Sequence, residues 1–146
     1  MEILFVCRVN LNRSQIAAAI FNKLSKKNHA VSAGMSLPPE FEGTSVVGAH
    51  NSPADVLKEF GYDISKEKRK QITNQMIESA DKIVLIFSKQ KYSGTLPKEI
   101  ETFPDLEWWD IPSISDELPH DEYVKQERKR IAILETLVRD LVKRTG

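Results

Sequence analysis

Apolar residues in this chain come either as short unbroken runs or at intervals of three and four positions. The run at residues 3–6 ("ILFV") predicts a fully buried strand. Beyond the segment "CRVNLNR", Ile16, Ala17, Ile20, Phe21 and Leu24 fall on one helical face. Residues 30–33 ("AVSA") predict a second brief strand, ended by Gly34. The stretch "NSPADVLKEFG" carries helix punctuation: Ser52 as N-cap, Pro53 at the first helical position, Asp55 in the first turn and Gly61 after the end. A short helix is expected over 73–80, a central strand over 81–88 ("DKIVLIFS") and a last strand over 105–111 ("DLEWWDI"). Residues 121–143 predict a long amphipathic helix that turns Ile131, Leu134, Leu137, Val138 and Leu141 inward. Arg139, Lys143 and Arg144 at its end suit the helix dipole.

Strands alternating with helices argue for a parallel sheet covered on both faces. The expected fold class is α/β: a three-layer sandwich around a central four-stranded parallel sheet, with flavodoxin-like doubly wound topology. Ligands in such folds bind beyond the carboxyl ends of the strands, and Cys7 stands at the carboxyl end of the first. No internal repeat, low-complexity segment or linker divides the chain, so residues 1–146 are expected to form one domain. Two long loops remain, 35–51 and 112–121.

Composition narrows the class further. With 40% hydrophobic and 29% charged residues, the 146-residue chain has the make-up of an ordinary globular protein. Its 21 basic and 21 acidic side chains leave no excess that would suit nucleic acid or a membrane surface. A single cysteine excludes a disulfide scaffold. The segment "MEILFVC" lacks the basic start and apolar length of a signal peptide, and no run approaches a membrane span. A cytoplasmic location, where a free thiol stays reduced, is expected.

An isolated cysteine at a strand end is most often a small packed hydrophobe. Here the context reverses that reading. The loop between strand and helix turns several backbone N–H groups toward one point, and the helix adds its own unpaired N–H groups and dipole. This forms a nest for a tetrahedral oxyanion. Residues Arg8, Val9, Asn10, Leu11, Asn12, Arg13 and Ser14 would line it, with the Arg13 fork closing the ring. Cys7 would lie at its base, where amides and dipole favour thiolate over thiol. Ser14 can donate to that thiolate or serve as an N-cap. Asn10 tolerates the left-handed conformation that a tight loop needs.

The segment "CRVNLNRS" resembles the phosphate-binding loop of the low-molecular-weight protein tyrosine phosphatases, a family that includes related arsenate reductases. "SAGM" (32–35), residues 53–73, "ADKIVLIFS" (80–88) and "WDIP" (109–112) continue the likeness over nearly the whole chain. The resemblance implies hydrolysis of phosphate monoesters on a phosphorylated protein or small phosphoester. Cys7 would be the nucleophile and Arg13 the clamp, through a cysteinyl-phosphate. A carboxylic acid would protonate the leaving group, and no metal or organic cofactor would be needed. Leu11, at a position that separates aromatic from other phosphoesters in this family, favours a phenyl ring.

Three departures stand out. Val9 replaces the usual glycine, so position 9 must keep an ordinary φ. Asn12 replaces a second cysteine and reads as a turn residue. Without a resolving cysteine, an arsenate reductase would need an external thiol; "RSQIA" resembles those enzymes as much as phosphatases. The family's Asp-Pro pair is missing, and Ser113-Ile114 falls in its place. Asp116 is then the preferred acid and Asp110 the second, while a phosphate binder with little activity stays open.

Other residues read as ordinary. Trp108 and Trp109 pack at a strand end, although one is a candidate wall of the cleft. Tyr123 reads as surface or packing, and His29, His50 and His120 share no metal-ligand spacing. "KEKRK" (66–70) reads as a solvated face, and Arg8 as pointing outward to attract anions.

Overall fold

The computed structural model describes residues 1–115 and 117–146. Four parallel strands, β1 (Glu2–Cys7), β2 (His29–Gly34), β3 (Lys82–Ile86) and β4 (Leu106–Trp109), pair in the order β2-β1-β3-β4. That is the flavodoxin-like order, with the reversal of direction at β1. The expected architecture is found.

Both faces of the sheet are covered, which is why its central strands β1 and β3 read as nearly unbroken apolar runs. Ile3, Phe5, Val84 and Ile86 pack on one side against α1 (Arg13–Leu24), α2 (Ala54–Glu59) and α6 (His120–Thr145). Leu4, Val6, Ile83 and Leu85 face the other side. There α3 (Asn74–Ser79), α4 (Lys89–Tyr92) and α5 (Lys98–Glu101) contribute Met76, Tyr92 and Ile100. Short 3-10 turns occupy Pro39–Phe41 and Ser93–Thr95.

Boundaries differ from expectation where side chains compete with the backbone. Pro53 takes the cap position of α2, and the Ser52 hydroxyl accepts from the Ala54 amide at 3.3 Å. Gly61 follows with φ +89°, as its place after the helix requires. β4 stops at Trp109, and the Asp110 carboxylate that follows accepts from the Lys89 amide in the first turn of α4 at 2.9 Å, beside the Ser88 cap. No helix of the described residues is long and apolar enough to cross a membrane.

Candidate active site

The loop that follows β1 is turned inside out by its surroundings. The carbonyls of Cys7 and Arg8 accept from the amides of Met35 and Ser36, each at 2.8 Å. The Val9 carbonyl accepts from Arg69, the Asn10 carbonyl from Gln15 and the Asn12 carbonyl from the Ile16 amide. With these oxygens tied outward, the amides of residues 8–12 donate to no protein acceptor among the described residues. α1 adds its N-terminus, with no side-chain cap and no acid in its first turn. The result is a bowl of donors at the positive end of a helix, suited to a tetrahedral anion.

Gly34 explains how the loop comes so close to β2. A Cβ there would lie 3.0 Å from the Asn10 nitrogen and 3.1 Å from the Arg8 oxygen. Only glycine leaves room for this backbone approach.

Asn10 is the keystone. It adopts φ 51°, the left-handed conformation expected of it. Its Nδ2 donates to Ser14 Oγ at 2.8 Å and Ser32 Oγ at 3.0 Å, while its Oδ1 accepts from Gln15 Nε2 at 2.9 Å and the Lys70 amide at 2.8 Å. Every hydrogen and both lone pairs of the amide are thereby used. Ser14 Oγ lies 2.9 Å from Cys7 Sγ. That oxygen accepts from Asn10 and keeps its own hydrogen, which it can give to the sulfur when Cys7 is a thiolate. Ser14 sits inside α1, not at its cap, so the thiol-facing role prevails over capping. Val9 keeps a negative φ, as its branching demands.

Arg13 is 5% exposed and donates through Nη1 to the Ile111 carbonyl at 2.7 Å, which leaves the other edge of the fork free for an oxyanion. Burial lowers the basicity of its guanidinium, and the charge of nearby Cys7 opposes that. The guanidinium stays protonated all the same.

A cavity of about 750 Å³ opens above the bowl. Arg8, Val9, Leu11, Asn12 and Arg13 form its floor; residues of the 41–51 loop, Tyr92, Ser113, Ile114 and Tyr123 form its walls. Ser113 therefore stands at the cavity where the family's acid was expected. Asp116, the preferred acid, lies outside the described residues. Asp110 accepts from the Lys89 amide at the start of α4 and does not line the cavity.

Several expectations are corrected. Asn12 is not a plain turn residue: its Nδ2 donates to Glu127 Oε2 at 2.6 Å and to Tyr123 Oη at 3.1 Å. Held that way, its Oδ1 is buried without a donor among the described residues. Tyr123 is buried and lines the cavity. Burial, then the Glu127 carboxylate, pushes its hydroxyl pKa well up. Arg69, in the supposedly solvated run, is 6% exposed, since its guanidinium reaches inward to the Val9 carbonyl. Arg8 does not project freely; it lies over the Tyr92 ring at 4.0 Å and donates to Ser36 Oγ at 2.9 Å. His50 lines the cavity, whereas Trp108 and Trp109 do not. Among the described residues no cluster of His, Cys, Asp or Glu is placed to hold a metal ion.

One of the missed features left a trace in the sequence. Tyr123 and Glu127 extend, at spacings of four, the buried stripe of Ile131, Leu134, Val138 and Leu141. A glutamate on an apolar stripe signals a buried, partnered carboxylate. Glu127 is 0% exposed and is held by Arg130 at 3.1 Å as well as by Asn12 and Tyr123. Arg69 left no such trace.

The profile described as low molecular weight phosphotyrosine protein phosphatase matches residues 2–104. A probable low molecular weight protein-tyrosine-phosphatase, EpsP, of Ralstonia solanacearum is 30% identical over 89 residues, covering 61% of this chain and 57% of that relative. The chain thus matches less than two thirds of that protein's length. The low molecular weight protein tyrosine phosphatase from T. tengcongensis superposes with TM-score 0.77 at 24% identity, covering 99% of each chain, and carries the fold alone. An arsenate reductase from Archaeoglobus fulgidus gives TM-score 0.67 at 26% identity, covering 97% of this chain and 98% of that one.

Proposed function

Because the chain belongs to the low molecular weight phosphotyrosine protein phosphatase family, we propose that it hydrolyses phosphate monoesters through a cysteinyl-phosphate intermediate. The observation that carries this is the Cys7–Ser14 contact of 2.9 Å at the base of a bowl of free amides, with Arg13 alongside. The Cys7 sulfur attacks phosphorus in line with the ester oxygen, that S–P bond forming as the P–O bond breaks. The loop amides and Arg13 stabilise the equatorial oxygens. Ser14, 2.9 Å from the sulfur, is placed to donate to it as the leaving group when water attacks phosphorus and the S–P bond breaks. Leu11 offers an apolar face to an aromatic leaving group, so phosphotyrosine or an aryl phosphate is the proposed ester. Residues 1–146 act as one cytoplasmic phosphatase domain in this reading, on a phosphorylated protein or a small phosphoester.

Asp116 is proposed to protonate the leaving oxygen. Asp116→Ala should lower kcat by roughly 10²-fold or more and remove one limb of the pH–rate profile. An unchanged profile would reject that assignment. The central reading is tested with phenyl phosphate: wild type turns it over, Cys7→Ser does not, and equal rates would reject the proposal.

A second reading is reduction of arsenate with an external thiol, favoured by the "RSQIA" segment and the likeness to the Archaeoglobus reductase. With Cys7 the only thiol, the reductant must come from outside the chain. Arsenate-dependent oxidation of glutathione or glutaredoxin tests it; no oxidation of either rejects it.

A further inference from the structure

The cavity is far larger than a phosphoryl group requires; its volume of about 750 Å³ suits a ligand of many atoms. Its charge is one-sided. Arg8, Arg13, Arg69 and Arg130 line it, and no Asp or Glu does so among the described residues. This occurs in a chain whose formal net charge is zero.

Two of these cations are already matched. Arg130 is paired with buried Glu127. Arg13 faces Cys7 and the bowl. Arg8 and Arg69 have no carboxylate partner among the described residues. Yet both are held in place. Arg69 donates through Nε and Nη2 to the Val9 carbonyl, at 3.3 and 3.2 Å, and stacks over the Phe41 ring at 4.6 Å. Arg8 uses Nη2 on Ser36 and stacks over Tyr92. Neutral acceptors and aromatic faces fix the guanidinium planes without cancelling their charge. Each keeps N–H groups that these contacts do not use. A guanidinium held in place without a carboxylate partner keeps N–H groups and charge that an arriving anion can pair.

The apolar side of the cavity completes the pattern. Val9, Phe41 and Val47 are large apolar side chains left exposed, and all three line it with Leu11 and Ile114. Exposed apolar surface gathered at one cavity marks a surface for a ligand body.

We infer that the substrate is doubly anionic: a phosphate monoester on an apolar body that carries a second anionic group, which Arg8 and Arg69 read. This rests on the phosphatase reading of the same site. The second group is a carboxylate or phosphate; an acidic residue beside phosphotyrosine in a peptide and an acidic substituent on a small aryl phosphate both supply it.

The experiment compares matched pairs. Phosphotyrosine peptides with flanking Glu are set against the same peptides with Gln, and carboxyphenyl phosphate against phenyl phosphate. Wild type should prefer the acidic member in kcat/KM by roughly tenfold, as a charge-assisted hydrogen bond implies. The preference should shrink as salt is added. Arg69→Gln and Arg8→Gln should each cut the ratio, and Arg69→Lys should restore most of it. A preference in the peptide pair alone identifies the peptide source, and one in the small pair alone identifies the small ester. The same pairs are titrated by calorimetry into Cys7→Ser, which reads binding without turnover. Ratios near one in both turnover and binding, or variants that slow neutral and acidic substrates equally, overturn the inference. Such a result leaves the phosphatase reading intact if phenyl phosphate is still turned over in a Cys7-dependent way. Conversely, acidic preference in binding without any turnover upholds the second-anion site and counts against the phosphatase reading.

Discussion

Around Asn10 every hydrogen-bonding atom of the side chain has a partner, whereas across the cavity Phe41, Val47 and His50 stand in solvent. The floor is held by contacts that converge from β2, α1, α6 and the 66–70 segment. The rim is held by a turn, the Thr44 amide on the Phe41 carbonyl, and by backbone bonds to the 66–70 segment such as the Gly43 amide on the Arg69 carbonyl. The difference matches the two tasks of the proposed reaction. Stabilising charge on a transferring phosphoryl group needs donors fixed in advance. Accepting a leaving group of variable shape does not. Substitutions in the floor should therefore act on kcat, and those in the rim on KM.

The strongest break in this pattern is expected at Arg13. Arg13→Ala should lower kcat by at least roughly 10²–10³-fold in steady-state assays, with thermal stability little changed by comparison. A change confined to KM would place Arg13 with the rim.

Next comes Glu127, which joins the floor to α6 through Asn12. Glu127→Ala leaves Arg130 buried and unpaired and should cost about 3–5 kcal/mol in urea unfolding. It should also lower kcat, because Asn12 loses its anchor. Stability and kcat both unchanged would show that the floor does not depend on α6.

A third network, at the amino-terminal end of the sheet, separates stability from rate. Burial pushes the Glu107 carboxyl up, but hydrogen bonds from Arg144, Trp109 and Lys82 outweigh it and hold the pKa at about 2. Its folded value lies below the ordinary one, so its contribution is complete above the usual carboxylate range. That contribution is lost as pH falls toward 2. Glu107→Gln should flatten the acid limb of the stability profile while leaving kcat near neutrality alone.

The smallest effect is expected at the rim. Phe41→Ala should change stability by no more than about 0.5 kcal/mol. Its signature is a rise in KM for aryl esters at constant kcat.

The sheet and its helices were legible in the sequence because the two central strands, β1 and β3, are buried on both faces and the long helices carry one apolar stripe each. The bowl was legible too, since Cys7, Asn10, Arg13 and Ser14 sit within one strand–loop–helix unit whose spacing fixes their relation. Distant partners were not. Asn12 meets Glu127 across 115 positions, and Arg69 meets Val9 across 60. Neither pairing has a local pattern: by sequence Asn12 reads as a turn residue and Arg69 as part of a solvated run. The acid of the reaction depends on how a loop returns to the cavity, which composition cannot encode.

The most direct test of the central claim is a rapid-quench experiment with phenyl phosphate followed by mass mapping of the peptides. The account predicts one phosphoryl group on the Cys7 peptide during turnover, absent in Cys7→Ser. Steady turnover with no phosphoryl-enzyme in the pre-steady state, or with the group on any other residue, would contradict it.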